Sequence, residues 1–367
     1  MFRCRNCLNT STRPRIGFDS RGWCNACQWM EEKERVNWAA REEMLRNLLE
    51  KHSDRAQFDC IVTVSGGKDG SYVAHTLKTK YGIRPLCLTV RPPRAISIGE
   101  ENLRSFINSG FEHLHVTVDQ DAMRKVDRIG FLKFGQGYYG WLVAIHTAVL
   151  HIANNFGISL VFYSEDGEIE YGGSTSRKNI ATYGIDYMKQ VYLNSTYDEV
   201  MKEANLSPRE AYWFSFPESR EDSGSPGLEV AHFSFFEAWD PYRNYLVAKE
   251  NCGLKELSEA AIGTFTNFAQ NDQELATLHY YLMYLKFGFG RATQDAGIEI
   301  RRGALTREQA VNLVRLYDNQ PPVDFYESYA DYYQISLTEF EEAIDRFANK
   351  DLFVKDGAAW KPIFEVE

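Results

Sequence analysis

Short apolar runs and helix-period stretches alternate through the first two thirds of the chain. FDCIVTV (58–64), PLCLTV (85–90), HLHVTV (113–118) and ISLVFY (158–163) are rich in β-branched and aromatic residues and end at glycine or polar clusters. That is the signature of buried strands. Between them, residues 71–80, 100–108 and 138–155 carry apolar positions three and four apart, the spacing of one helix face. The alternation predicts an α/β fold with a doubly wound, mostly parallel sheet, in which ligands bind beyond the carboxyl ends of strands. Ahead of it, residues 28–51 read as one helix with a stripe of Trp29, Val36, Ala40, Met44 and Leu48. Residues 52–57 read as a linker, and 223–227 (SGSPG) as an exposed loop. After about residue 240 the strand signal fades, and helices are predicted over 272–287, 306–317 and 336–349. Thr306 with Gln309, and Ser336 with Glu339, have the capping-box spacing. The expected division is a cysteine module at 1–28, a connecting helix and linker at 29–56, an α/β domain at 57–240 and a helical C-terminal subdomain at 241–367. A length of 367 residues agrees with two domains and an appendage at about 150 residues per domain.

Charge narrows the function classes. Lys and Arg number 41 against 51 Asp and Glu, a net charge of −10, which disfavours nucleic acid as a partner. Arg3, Arg5, Arg13, Arg15 and Arg21 nevertheless make the N-terminal module locally basic. No run approaches the roughly 18 apolar residues of a membrane span, and MFRCRNC is no signal peptide. A reducing, cytoplasmic location is the expectation, and there paired cysteines more often hold a metal than form a disulfide. Cys4 and Cys7, then Cys24 and Cys27, form two C-x2-C pairs, the spacing of a four-thiolate zinc site. Such a site has no open coordination position and is structural; an iron–sulfur or redox role is the alternative. Cys60, Cys87 and Cys252 sit among apolar neighbours and read as core.

Three further clusters carry candidate chemistry. Ser65-Gly66-Gly67-Lys68-Asp69-Gly70 follows the first strand, with a helix expected from about Ser71. Adjacent glycines let backbone N–H groups approach an anion, and the helix dipole favours the same spot. Lys68 adds a positive charge, and Asp69 can hold Mg²⁺ against phosphates. The spacing is neither a Walker A motif nor a dinucleotide fingerprint. Glu165, Asp166, Glu168 and Glu170 follow the fourth strand. They read either as a solvated acidic loop or as a cluster that holds Mg²⁺ or steers an attacking ammonium, and the Tyr171-Gly172-Gly173 turn favours a structured element. Lys286, Arg291, Asp295, Arg301 and Arg302 lie among Gly288, Gly290 and Gly297. They read as a solvated helix end or as an anion site such as one for a sugar-nucleotide diphosphate. Trp239 and the histidines at 75, 113, 115, 146 and 151 read as packing residues.

SGGKDG resembles the PP-loop of the ATP pyrophosphatase superfamily, whose usual form is SGGxDS; Gly70 stands where that form has serine, and Ser71 follows. Over three regions the chain resembles the N-acetyl sugar amidotransferases of bacterial surface-polysaccharide (O-antigen) biosynthesis. These are CRNCLNTSTRPRIGFDSRGWCNACQ, the SGGKDG loop, and the pair YSEDGEIEYGG (163–173) and KFGFGRATQDAGIEIRRGALTREQA (286–310). Ser164 departs from the glycine expected there. The resemblance implies conversion of a sugar acetamido group to acetamidino. The amide oxygen is adenylated with release of pyrophosphate, and ammonia then displaces AMP. It implies ATP and Mg²⁺, a structural Zn²⁺, a nucleotide-linked acetamido sugar, a glutaminase subunit and a cyclase-like ammonia-channel subunit. Ser65 to Gly70 and Ser71 would take the pyrophosphate, and Leu88, Thr89 and Val90 the adenine. Lys68, Asp69, Glu165 and Glu170 would be catalytic, and Lys286, Arg291, Asp295 and Arg301 would bind the sugar substrate. The rival is a PP-loop tRNA sulfur transferase, which needs reactive paired cysteines or an iron–sulfur site near ATP. Cys60, Cys87 and Cys252 form no such pair in sequence.

Overall fold

A computed structural model describes residues 1–367 except 54–55, 219–226 and 270. The strands are β1 (Cys60–Thr63), β2 (Pro85–Val90), β3 (His113–Val116), β4 (Leu160–Tyr163), β5 (Thr182–Tyr183) and β6 (Glu229–His232). They form one sheet in the order β3-β2-β1-β4-β6-β5, parallel except where β5 runs against β6. The first helices are α1 (Asn25–Lys33), α2 (Trp38–His52), α3 (Lys68–Tyr81), α4 (Ser97–Asn108), α5 (Gln120–Phe134), α6 (Tyr139–Phe156) and α7 (Gly167–Tyr171). There follow α8 (Ile185–Tyr187), α9 (Tyr197–Ala204), α10 (Pro241–Cys252), α11 (Leu275–Phe287), α12 (Arg291–Arg301), α13 (Arg307–Tyr317), α14 (Tyr326–Tyr333) and α15 (Leu337–Phe347).

Alternate residues of a strand face opposite sides of the sheet, and the core divides accordingly. Ile61, Leu86 and Leu88 pack with Val126 of α5 and with Tyr139 and Val143 of α6. Cys60, Val62 and Cys87 pack on the other face against Leu45, Tyr72, Phe106 and Cys252 from α2, α3, α4 and α10. The doubly wound, mostly parallel sheet expected from the sequence is therefore present. A third core joins Phe131 of α5 and Tyr138 to Leu278 and Leu282 of α11, Tyr329 and Tyr333 of α14, and Phe340 of α15.

Several boundaries differ from the sequence reading. The predicted helix over 28–51 is two helices, because Asn37 accepts a hydrogen bond from the Ala40 N–H and starts α2 afresh. Helix α3 begins at Lys68, not near Ser71, so the phosphate loop proper is Ser65 to Gly67 and Lys68 to Gly70 form its first helical turn. The last third is not wholly helical: β7 (Phe353–Asp356) and β8 (Ala359–Pro362) form a hairpin. Helices α5, α7, α8, α9, α10, α12 and α14 and strands β5 and β6 lie where the sequence reading placed no element. The capping box at Thr306 and Gln309 is complete; Ser336 caps α15 from Glu339 N–H. All but Gly227 of the loop expected at 223–227 lies outside the described residues. Among the described residues no helix is long and apolar enough to cross a membrane.

Candidate functional site

Strand β1 delivers the chain to the loop, and the glycines are required by contact. Gly66 has φ +80°, and a Cβ there would stand 2.3 Å from the Leu103 backbone nitrogen of α4. At Gly70 a Cβ would stand 2.6 Å from the Thr63 carbonyl oxygen, so a serine at this position would push the helix off the strand. Ser71 supplies no replacement at the surface. Its side chain is fully buried, and its hydroxyl has no hydrogen-bond partner among the described residues.

A cavity of about 230 Å³ opens at the carboxyl ends of β1 and β2. Ser65, Gly67, Lys68, Asp69 and Gly70 line one wall, and Leu88, Thr89 and Val90 line another. The structure thus brings together the two segments expected to take pyrophosphate and adenine. Thr89 donates its hydroxyl to the Val64 carbonyl at 2.6 Å, and Trp141 donates Nε1 to the Val90 carbonyl at 3.0 Å. Phe268, Ala269, Asn271 and Asp272 close the cavity from the C-terminal third. Lys68 and Asp69 form an ion pair, and Asn244 of α10 donates Nδ2 to Asp69 Oδ1 at 3.0 Å.

The four acidic residues after β4 separate by role. Glu165 lies beside the loop and accepts a hydrogen bond from the Tyr171 hydroxyl at 2.9 Å. Burial and the nearby Asp69 carboxylate push its carboxyl up to about 7, with Lys68 opposing them. Asp166 caps α7 through the Glu168 N–H, and burial raises it to about 6. Glu168 and Glu170 turn toward the N-terminal module. Arg15 grips Glu168 with two hydrogen bonds of 2.7 and 2.8 Å, and these, with the Ser174 N–H, outweigh the burial that would raise it. Glu170 accepts from Trp29 Nε1 at 2.9 Å and from Lys33 Nζ at 2.5 Å. Glu165 is therefore the member of the cluster set against Asp69 and Lys68, whereas Glu170 joins elements.

The four cysteines of the module are fully buried, with their sulfurs within 4.8 Å of one another. Sulfur separations of 3.6 and 3.7 Å match the edge of a tetrahedron with metal–sulfur distances of about 2.3 Å. The Cys24 and Asn9 backbone N–H groups and Asn9 Nδ2 point at sulfurs from 3.2 to 3.5 Å. A buried four-cysteine group with these donors is suited to hold a metal. Arg301, expected at the substrate, lies here instead. Its guanidinium faces the Cys7, Cys27 and Cys24 sulfurs and donates to the Glu170 carbonyl at 3.3 Å.

The other expected substrate residues are dispersed. Arg291 pairs with Asp295 at 2.8 Å and lies over the Tyr280 ring, while Asp295 also accepts from Thr264 at 2.5 Å. Lys286 lines a separate cavity, donating to the Phe134 carbonyl at 2.8 Å. Trp239 is a core residue against Tyr72. Sequence reasoning missed Asn244 and Trp141, which contact the site from distant positions that no local pattern marks, and it read Tyr171 only as part of a turn, not as the partner of Glu165.

The sheet order and the SGGKDG turn define the class as a PP-loop α/β fold. Residues 262–366 match the family model for the C-terminal domain of WbpG-like LPS biosynthesis proteins. The resemblance to N-acetyl sugar amidotransferases is borne out over that segment. No curated protein matches the chain. Among solved structures, the U34-tRNA thiolase NcsA of Methanococcus maripaludis, described with its [4Fe-4S] cluster, is 14% identical. That match covers 83% of this chain and 87% of that one at a TM-score of 0.33. A predicted tRNA methyltransferase subunit of Methanocaldococcus jannaschii is 17% identical over 51% of this chain and 91% of that one, at a TM-score of 0.24. Likenesses this remote carry no argument about chemistry.

Proposed function

We propose that the protein is an ATP-dependent amidotransferase that converts the acetamido group of a sugar, carried on a nucleotide, to acetamidino. The observation that carries this reading is a cavity in which the SGGKDG turn, the end of β2 and Phe268, Ala269, Asn271 and Asp272 of the WbpG-like segment face one another. An amide oxygen is a poor leaving group, and adenylation removes that obstacle. The amide oxygen attacks the α-phosphorus, the bond to the β-phosphate oxygen breaks and pyrophosphate leaves. Ammonia adds to the imidate carbon, loses a proton, and the C–O bond breaks to release AMP.

In this reading the backbone at Gly66 and Gly67 and the start of α3 cradle the leaving pyrophosphate, and Lys68 neutralises its charge. Asp69, oriented by Asn244, would hold Mg²⁺, which supplies charge neutralisation across the phosphates. Glu165 accepts the proton lost by the attacking nitrogen, and Tyr171 fixes its orientation. Ser65, Leu88, Thr89 and Val90 complete the ATP site. The four cysteines hold a structural Zn²⁺. Ammonia is delivered by a glutaminase subunit through a cyclase-like channel subunit, and the complex works in the cytoplasm.

Cys60, Cys87 and Cys252 are buried in one core cluster, and burial raises all three thiols. A buried, protonated thiol is a poor nucleophile, which counts against sulfur transfer. The test is incubation with ATP, Mg²⁺, ammonium and acetamido nucleotide sugars, followed by phosphate chemistry and product mass. AMP, pyrophosphate and an amidine are expected; ADP with inorganic phosphate would refute the adenylation step.

A further inference from the structure

A second cavity, of about 260 Å³, lies between the N-terminal module, the α5–α6 turn and α11. It is built partly on the same elements as the first: on α6, Trp141 lines the ATP-side cavity and Leu142 the second, and on the segment after β4 Ser164 and Glu168 divide in the same way. Its polar lining is unfinished. Arg13 Nη1, Gln136 Oε1 and His279 Nδ1 are shut off from solvent without a hydrogen-bond partner among the described residues. Buried polar atoms of this kind cost free energy unless something completes them.

The charges in the lining do not cancel. Arg15 and Glu168 are paired with each other, which leaves Arg13 and Lys286 as cations. Lys286 meets a backbone carbonyl and lies over the Phe287 and Phe347 rings, Arg13 lies over the Phe289 ring, and neither has a carboxylate ion pair among the described residues. Burial lowers both groups, to about 10 for Arg13 and about 8 for Lys286, so an anion brought between them would hold both in the charged form. His279 is kept neutral by burial, and with Gln136 it offers hydrogen bonds rather than charge. A cationic wall is unsuited to conducting ammonium. It suits a ligand with an oxyanion at one end and hydroxyls beside it.

We propose that this second cavity binds the anionic part of the acetamido-sugar substrate, a phosphate or a carboxylate, through Arg13 and Lys286, with Gln136 and His279 on its hydroxyls. The assignment rests on the amidotransferase reading, because it places the acetamido end toward the neighbouring ATP cavity.

The test uses the metal-loaded full chain saturated with α,β-methylene-ATP, so that the phosphate loop is occupied. UDP and glucuronate are titrated separately by calorimetry. Binding of UDP alone identifies a phosphate as the ligand group, and binding of glucuronate alone a carboxylate. Lys286→Met and Arg13→Gln are each expected to weaken the bound probe about tenfold, the loss of one charge-assisted hydrogen bond. In the unaltered chain, the same probe is expected to protect Lys286 from acetylation by acetic anhydride. Binding of neither probe, affinity unchanged in Lys286→Met, or Lys286 acetylated equally with and without probe would each overturn the proposal. Probe binding without amidine formation would leave this site standing and remove the functional reading. Amidine formation with an unchanged KM for the sugar in Lys286→Met would remove this site alone.

Discussion

Glu165 has a carboxyl that ionises near neutrality, where a proton acceptor is most effective. Below about 7 it is protonated and cannot take a proton; above that value it is a carboxylate beside Asp69 and Lys68. As the base of the ammonia step it predicts a turnover that rises with pH through about 7 and then levels. Glu165→Gln is expected to flatten that limb and lower kcat by about 100-fold or more, as read from pH–rate profiles of AMP release. Asp69→Asn keeps the shape of the side chain but removes the charge that would hold Mg²⁺. It is expected to reduce pyrophosphate release by at least about 100-fold while the fold, followed by circular dichroism, is unchanged. The loop residues were legible because they are contiguous and each glycine has a steric reason. Asn244 was not, because it reaches Asp69 across 175 positions. Arg301 misled for a related reason: an arginine between glycines suggests a phosphate, and nothing local shows that it will face sulfur.

At the scale of elements, α7 is only five residues long, yet five groups from other elements hold it. Arg15 grips Glu168, Trp29 and Lys33 hold Glu170, Arg301 reaches the Glu170 carbonyl, and Asn9 bridges the Cys24 sulfur and the Tyr171 carbonyl at 3.0 Å. The four-cysteine module is therefore tied to the segment that carries Glu165 and Tyr171. Stripping the metal with a chelator is expected to raise hydrogen exchange across 165–173 and to leave exchange in β1 and β2 unchanged. Metal analysis of the purified protein is expected to give zinc and no iron. Elsewhere, Asp127 of α5 accepts the Gly140 N–H at 2.6 Å and the Tyr332 hydroxyl at 2.6 Å, and so ties α5 to α6 and α14. Asp127→Ala orphans these buried donors and should cost about 2 to 5 kcal/mol in denaturant unfolding. The longer strands and most helices were visible in hydrophobic period. Strand β5 is two residues and β6 is the mixed EVAH, both too short to show a period. The β7–β8 hairpin did carry a signal, Asp356-Gly357 between apolar runs, which the helical pattern around it masked.

For the whole molecule, the N-terminal module is built into the protein. Leu8 shares a core cluster with Ala296 of α12 and with Ala310 and Val314 of α13, and Thr12 reaches the Phe287 carbonyl. Removing residues 1–33 would expose that cluster and strand Glu168 and Glu170. The truncated chain is expected to melt well below the full chain or to aggregate, as judged by calorimetry and light scattering. The sequence could not show that the module and the C-terminal third share a core, since packing between distant segments leaves no local period. That C-terminal third also supplies Phe268, Ala269, Asn271 and Asp272 to one cavity and His279, Met283 and Lys286 to the other, while the nucleotide loop and strand end come from residues before 91. Each cavity is thus assembled from an early and a late stretch of the chain, with Arg13 and Arg15 set against the late residues in the second. Under the proposed function, retargeting to a different sugar therefore requires exchanging residues 13–15 together with 262–366, and neither stretch alone.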